Sequence, residues 1–142
     1  MAPWEDLAFD TYDELWARVP DDPRPSVTFD LSGFFTAEVQ AEFNAAERAV
    51  DSLAHLAFVR VLPPDTPLLV LNWEHASHRF WPHRVTTAPP WLVVPNGDHY
   101  VVGTEDFALG TRGHPWEQTL QVWGEPLLRV LVPMLAWLPQ KS

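Results

Sequence analysis

One apolar stripe constrains this chain more than any other feature. Between Thr36 and Leu62, residues Val39, Phe43, Ala46, Val50, Leu53, Ala57 and Val61 recur at steps of three and four. That spacing places them along one side of a long helix. Glu38, Glu42, Glu47, Arg48 and Asp51 take the other faces. Pro63 and Pro64 stop the helix, because proline lacks the amide and disfavours helix in the residue before it.

The flanking segments change period. Thr11-Tyr12-Asp13-Glu14 carries a capping-box pattern, after which Tyr12, Leu15, Trp16 and Val19 share a face and Pro20 ends a first helix. Val27, Phe29 and Leu31 alternate with Thr28 and Asp30, which predicts a half-buried strand over 26–31. Leu68 to Trp73 is an apolar run of strand length. Asn96-Gly97, between Val93-Val94-Pro95 and Tyr100-Val101-Val102, predicts a hairpin turn, since these residues tolerate positive φ. Thr119 to Trp123 reads as a further strand. Pro126 then opens a C-terminal helix, with Leu127, Leu128, Leu131, Leu135 and Leu138 on its buried side and Pro133 kinking it. The predicted fold is α+β: an antiparallel β-meander sheet with an N-terminal helix, a long helix and a C-terminal helix packed on one face.

Composition bounds the function. The 142 residues suit one domain, with 1–67 mainly helical and acidic and 68–142 forming the sheet and last helix. There is no Cys, which rules out a disulfide framework, a thiolate metal site and a cysteine nucleophile. A net charge of −10 argues against a nucleic-acid backbone as partner. Thirteen acids and four Arg fall in residues 1–71, and five of the six His lie between His75 and His114. No secretory signal pattern and no apolar run of membrane-spanning length is visible, so the expected location is the cytoplasm. Phosphate-binding glycine loops and the serine-hydrolase elbow are absent as motifs, which gives nucleotide cofactors no support.

Chemistry-bearing residues concentrate in the second half. Read as one extended strand, residues 73–83 place Trp73, His75, Ser77, Arg79, Trp81 and His83 on one side. Those rings and the guanidinium would make a pocket wall that stacks and orients a ligand. The plainer reading puts the tryptophans in the core and the polar groups at a solvated edge. His75-x-x-His78 and His83 invite a metal, yet on a strand positions 75 and 78 face opposite ways, so no metal is expected. Asp98 suits a turn cap. His114 and Glu117 bracket Pro115-Trp116, either for acid–base work or as a clasp closing a loop. Glu105-Asp106 at a strand end is either a carboxylate pair for catalysis or an acidic turn.

These segments also carry a resemblance. Asn72-Trp73-Glu74-His75, Arg79-Phe80-Trp81-Pro82-His83, Pro95-Asn96-Gly97-Asp98-His99-Tyr100 and Gly110 to Thr119 resemble the bacterial family known as domain of unknown function 2716. So do the opening Tyr12 to Trp16 helix and the Pro25 to Asp30 strand. Gly113-His114-Pro115-Trp116-Glu117-Gln118 is the most specific part. The resemblance implies no activity. It draws attention to His75, Arg79, His83, Asp98, Asp106, His114 and Glu117, whereas His78 and His99 stand where the family more often has Tyr.

Three functional expectations follow. The first is a ligand- or partner-binding module, with Trp73, His75, Arg79, Trp81 and Asp98 holding a small molecule or the acidic half meeting a basic protein. The second is a cofactor-free enzyme in which His83, His114, Glu117 and Asp106 perform acid–base chemistry on a small anionic or planar substrate. The third, by analogy alone, is an immunity-like inhibitor of a basic protein.

Overall fold

Pro63 ends the long helix as expected. In the computed structural model, which describes residues 2–35, 40–89, 92–95 and 97–141, α3 spans Gln40–Val61. The expected start of this helix at Thr36, Glu38 and Val39, and Trp91 and Asn96 of the expected hairpin, lie outside the described residues. The other helices are α1 (Tyr12–Ala17), α2 (Ser32–Phe35) and α4 (Glu125–Met134). Among the described residues, no helix is long and apolar enough to cross a membrane.

The helices cover one antiparallel sheet. Its strands are β1 (Trp4–Asp6), β2 (Ser26–Asp30), β3 (Leu68–Asn72), β4 (His78–Phe80), β5 (Tyr100–Gly103), β6 (Gly110–His114), β7 (Thr119–Trp123) and β8 (Gln140–Lys141). They lie in the order β1-β4-β3-β5-β6-β7-β2-β8. The chain is therefore α+β, with β5-β6-β7 as a meander at the centre. The two-residue β8 and three-residue β1 close the edges and carry too little periodicity to be read beforehand.

Alternation along the strands sorts the core into two layers. Val70, Val102, Thr111 and Val122 stand opposite one another in register and face α3 and α4. Leu69, Leu71 and Val101 point the other way, where Leu15 and Val19 cover them. The helices thus divide between the two faces, α3 and α4 on one and α1 on the other. A mid-sheet β3 with consecutive buried Leu68, Leu69, Val70 and Leu71 requires cover on both sides.

Several local expectations change. The capping box does not form: Thr11 is helical, continuing a 3-10 turn over Phe9–Thr11, and its hydroxyl donates to the Ala8 carbonyl at 2.7 Å. Residues 92–95 are bent chain instead of a strand, and β5 pairs with β3 and β6. Gly97 does take the expected positive φ, 79°. On α3 the buried side includes Glu47, Asp51 and His55, which the apolar stripe had left outside. Asp51 is buried because its carboxylate accepts from the amides of Leu92, Val93 and Val94. His55 is buried with Nε2 2.9 Å from the Pro82 carbonyl. Buried polar groups require such partners.

Candidate functional site

The expected strand over 73–83 is interrupted. β3 ends at Asn72, the chain turns through Glu74 at φ 62°, and β4 covers only His78–Phe80. The turn is closed by the Asn72 amide donating to Ser77 Oγ at 3.1 Å and by the Glu74 amide donating to Tyr12 Oη at 2.6 Å. The turn resets the alternation, so Trp73, His75, Arg79, Trp81 and His83 do not share one wall.

Arg79 turns to the α1 side of the sheet. It donates to both carboxylate oxygens of Glu105, the shorter at 2.6 Å, and reaches Glu5 at 3.4 Å. The Glu105 hydrogen bond raises its pKa further above the ordinary guanidinium value. An arginine so engaged is a clamp between β4 and the β5–β6 turn, not a free anion receptor.

Asp106 organises that same turn, its Oδ1 accepting from Thr104 Oγ1 at 2.8 Å and the Ala108 amide at 3.0 Å. The Ala108 amide is the main reason its pKa lies below the usual carboxylate value. His83, in a 3-10 turn over Pro82–Arg84, has Nε2 3.0 Å from the Leu62 carbonyl and so satisfies the end of α3. Trp81 carries the Arg84 guanidinium 4.3 Å from its ring centroid. In His114, Nδ1 accepts from the amide of Glu117 at 3.2 Å, which places the ring hydrogen of the neutral form on Nε2. The Glu117 backbone, not its carboxylate, therefore meets the imidazole, which is the loop clasp. His83, Asp106 and the His114–Glu117 pair occupy separate parts of the molecule.

A different group does converge. Asp98 lies just before β5, and its carboxylate gathers three side chains. Asn72 Nδ2 donates to Oδ2 at 3.2 Å, Tyr100 Oη donates to the same oxygen at 3.3 Å, and His75 Nε2 lies 3.6 Å from Oδ1. Asn72 and Tyr100 are register partners on β3 and β5, so the sheet itself sets their spacing. Burial foremost, then Asp98, pushes the Tyr100 hydroxyl well above its ordinary pKa, with Asp51 and Glu47 adding to the effect. This phenol keeps its proton and donates it to Asp98.

Beside this group is an open hollow of about 390 Å³ lined by Trp4, Asp6, Asn72, Ala76, His78, Pro89 and Tyr100. Cross-strand pairing supplies its aromatic wall: Trp4 lies opposite Phe80 and Asp6 opposite His78. The Trp4 ring stacks on Phe80 at 4.4 Å and meets His78 edge-on at 4.2 Å. Burial lowers the His78 pKa, against an opposing pull from Asp6, so the ring is neutral at neutral pH. Behind this wall two occluded polar atoms of its residues, Asn72 Oδ1 and His78 Nε2, have no hydrogen-bond partner among the described residues. The hollow was not legible beforehand. Of the expected ligand-binding residues only Asp98 and His75 adjoin it, and β1 carries no sequence signal. Among the described residues, no three His, Asp or Glu gather as a metal site.

The family model for "Protein of unknown function (DUF2716)" matches residues 4–128. The chain belongs to this family. The match runs from β1 into α4 and includes every residue lining the hollow. The DUF2716 chain is also similar to "Uncharacterized protein YxiI" of Bacillus subtilis (strain 168), at 24% identity, with 92% of this chain and 93% of the relative covered. No solved structure matches it.

Proposed function

We propose that this DUF2716 protein is a binding module for a small ligand that donates hydrogen bonds, seated in the hollow between Trp4, His78, Asn72 and Tyr100. The observation that carries this reading is the lining of the hollow: the Trp4 ring, the Asp6 carboxylate, and Asn72 and Tyr100, which both turn their hydrogens to Asp98.

The lining supports the ligand's chemistry. Asn72 commits its amino group to Asp98 and Tyr100 its hydrogen, so these groups are not turned to the hollow as donors. Asp6 adds a carboxylate, and among the described residues no Lys or Arg lines the hollow. Neutral His78 accepts or donates according to tautomer. Trp4 and Pro89 give apolar surface. An amine, amidine, guanidine or primary amide with a small apolar body meets these requirements, and the volume suits a compact metabolite. Arg79, which would have favoured an anion, is clamped by Glu105 on the other face of the sheet.

A thermal-shift panel of small amines, guanidines and amides against matched carboxylates and phosphates tests the reading. A donor ligand should raise the melting temperature of the native chain and lose that effect in Asn72→Leu. Stabilisation by the anions alone, or by none of the compounds, contradicts it.

A further inference from the structure

On the α1 side of the sheet a row of rings reaches the surface at both ends, and we infer that this row is a docking face for an arginine- or lysine-bearing segment of a basic protein. Trp16 meets Trp73 edge-on at 5.3 Å and His99 at 5.7 Å. His99 lies 5.0 Å from His114, which in turn meets Trp116 edge-on at 5.4 Å. The terminal indoles are uncovered, Trp73 at 44% and Trp116 at 77% exposure. Two indoles held in water by a half-buried scaffold of rings are unfavourable unless something covers them.

Charge selects the occupant. Glu74 follows Trp73 and Glu117 follows Trp116, both are exposed, and neither enters an ion pair among the described residues. The fixed positive charge near the row is that of Arg112, which already interacts with Glu117 and Asp21. His99 is held neutral, its pKa lowered to about 4 chiefly by burial and then by His114 and Arg112. The Arg112 guanidinium donates to the Pro20 and Asp21 carbonyls at 3.0 and 3.4 Å. An exposed indole followed in the chain by an exposed carboxylate outside any ion pair suits a guanidinium or ammonium, the ring taking its flat face and the acid its hydrogens. The chain's net charge of −10 steers such a partner inward. This face is separate from the hollow beside Trp4, so either reading can fail without the other.

The probe is an oligo-arginine peptide, with an oligo-glutamate peptide as control, titrated into the full chain at low ionic strength while the indole N–H resonances are followed by NMR. Expected are saturable shifts at Trp73 and Trp116, and affinity at least tenfold weaker in Trp116→Ala, whose exposed ring leaves the core untouched. Glu74→Gln with Glu117→Gln should weaken binding more than Glu42→Gln with Glu125→Gln, an equal charge change on the opposite face. Equal weakening by both pairs would reduce the effect to bulk charge and overturn the inference. So would the absence of oligo-arginine binding, indifference to Trp116→Ala, or a dimer in sedimentation that Trp116→Ala abolishes, which would assign the face to a second copy.

Discussion

Asp51 holds Val93. Oδ1 of this helix carboxylate accepts the Val93 amide at 2.8 Å across 42 residues of sequence, and the adjoining amides of Leu92 and Val94 close on the same group at 3.2 Å. All four residues are buried. The contact fastens an irregular segment over the sheet, on the same face as Tyr100 and the hollow.

Removing that carboxylate should be severe. Asp51→Ala leaves three buried amides unpartnered, and a loss of about 3–5 kcal/mol is expected from their desolvation. Asp51→Asn retains one acceptor oxygen and should cost less. Urea unfolding of the three chains measures both losses, and equal stability of Asp51→Ala and the native chain would refute the role.

Gly113 is the other side of the same contact. A Cβ built there would lie 2.4 Å from the Val93 carbonyl oxygen and 3.1 Å from Pro95 Cδ. Gly113→Ala should therefore displace the 92–95 segment at a cost of about 2–3 kcal/mol. Since both substitutions break one contact, the double variant with Asp51→Ala should lose less than the sum of the two. Additive losses in the same denaturation series would show that the two residues act independently.

How far the sequence revealed all this depends on the range of the interactions. Thr119 to Trp123 and the stop at Pro63 follow from local pattern, and both stand as expected. The turn through Glu74 was hidden because its positive φ falls on a residue type that does not announce it, and the Tyr12 contact that holds it comes from 62 residues away. Asp51 looked like a solvent-facing residue because its amide partners lie on a segment with no regular structure. The Asn72–Asp98–Tyr100 group needs strand register to assemble, which no one-dimensional spacing supplies. His75, Arg79 and His83 are close in sequence, but a turn and two sheet faces separate them.

His83 should prove structural. Its ring nitrogen meets the Leu62 carbonyl at the end of α3, so His83→Ala should lower stability by about 1 kcal/mol. Ligand-induced stabilisation should persist in this variant. A variant as stable as the native chain but unable to respond to ligand would reverse the assignment.

Acid should loosen the ring row. The folded pKa of His99 lies near 4, below the ordinary 6.5, so the unfolded chain binds more protons between those values. Stability from this group is complete above about pH 6.5 and is lost as pH falls through that window. For a half-buried ring, allowing for solvent screening, the loss is of order 1 kcal/mol. His99→Phe should flatten this limb of the stability curve measured by thermal melts, and an unchanged slope would show that His99 does not set it.

The most direct test of the binding site is chemical-shift mapping of the native chain with pooled small amines, guanidines and amides. The side-chain amide of Asn72, the indole of Trp4 and the imidazole of His78 should move together and saturably with at least one compound, and the Trp116 indole should stay still. If every pool leaves those three resonances in place at millimolar concentration, the hollow is not a ligand site.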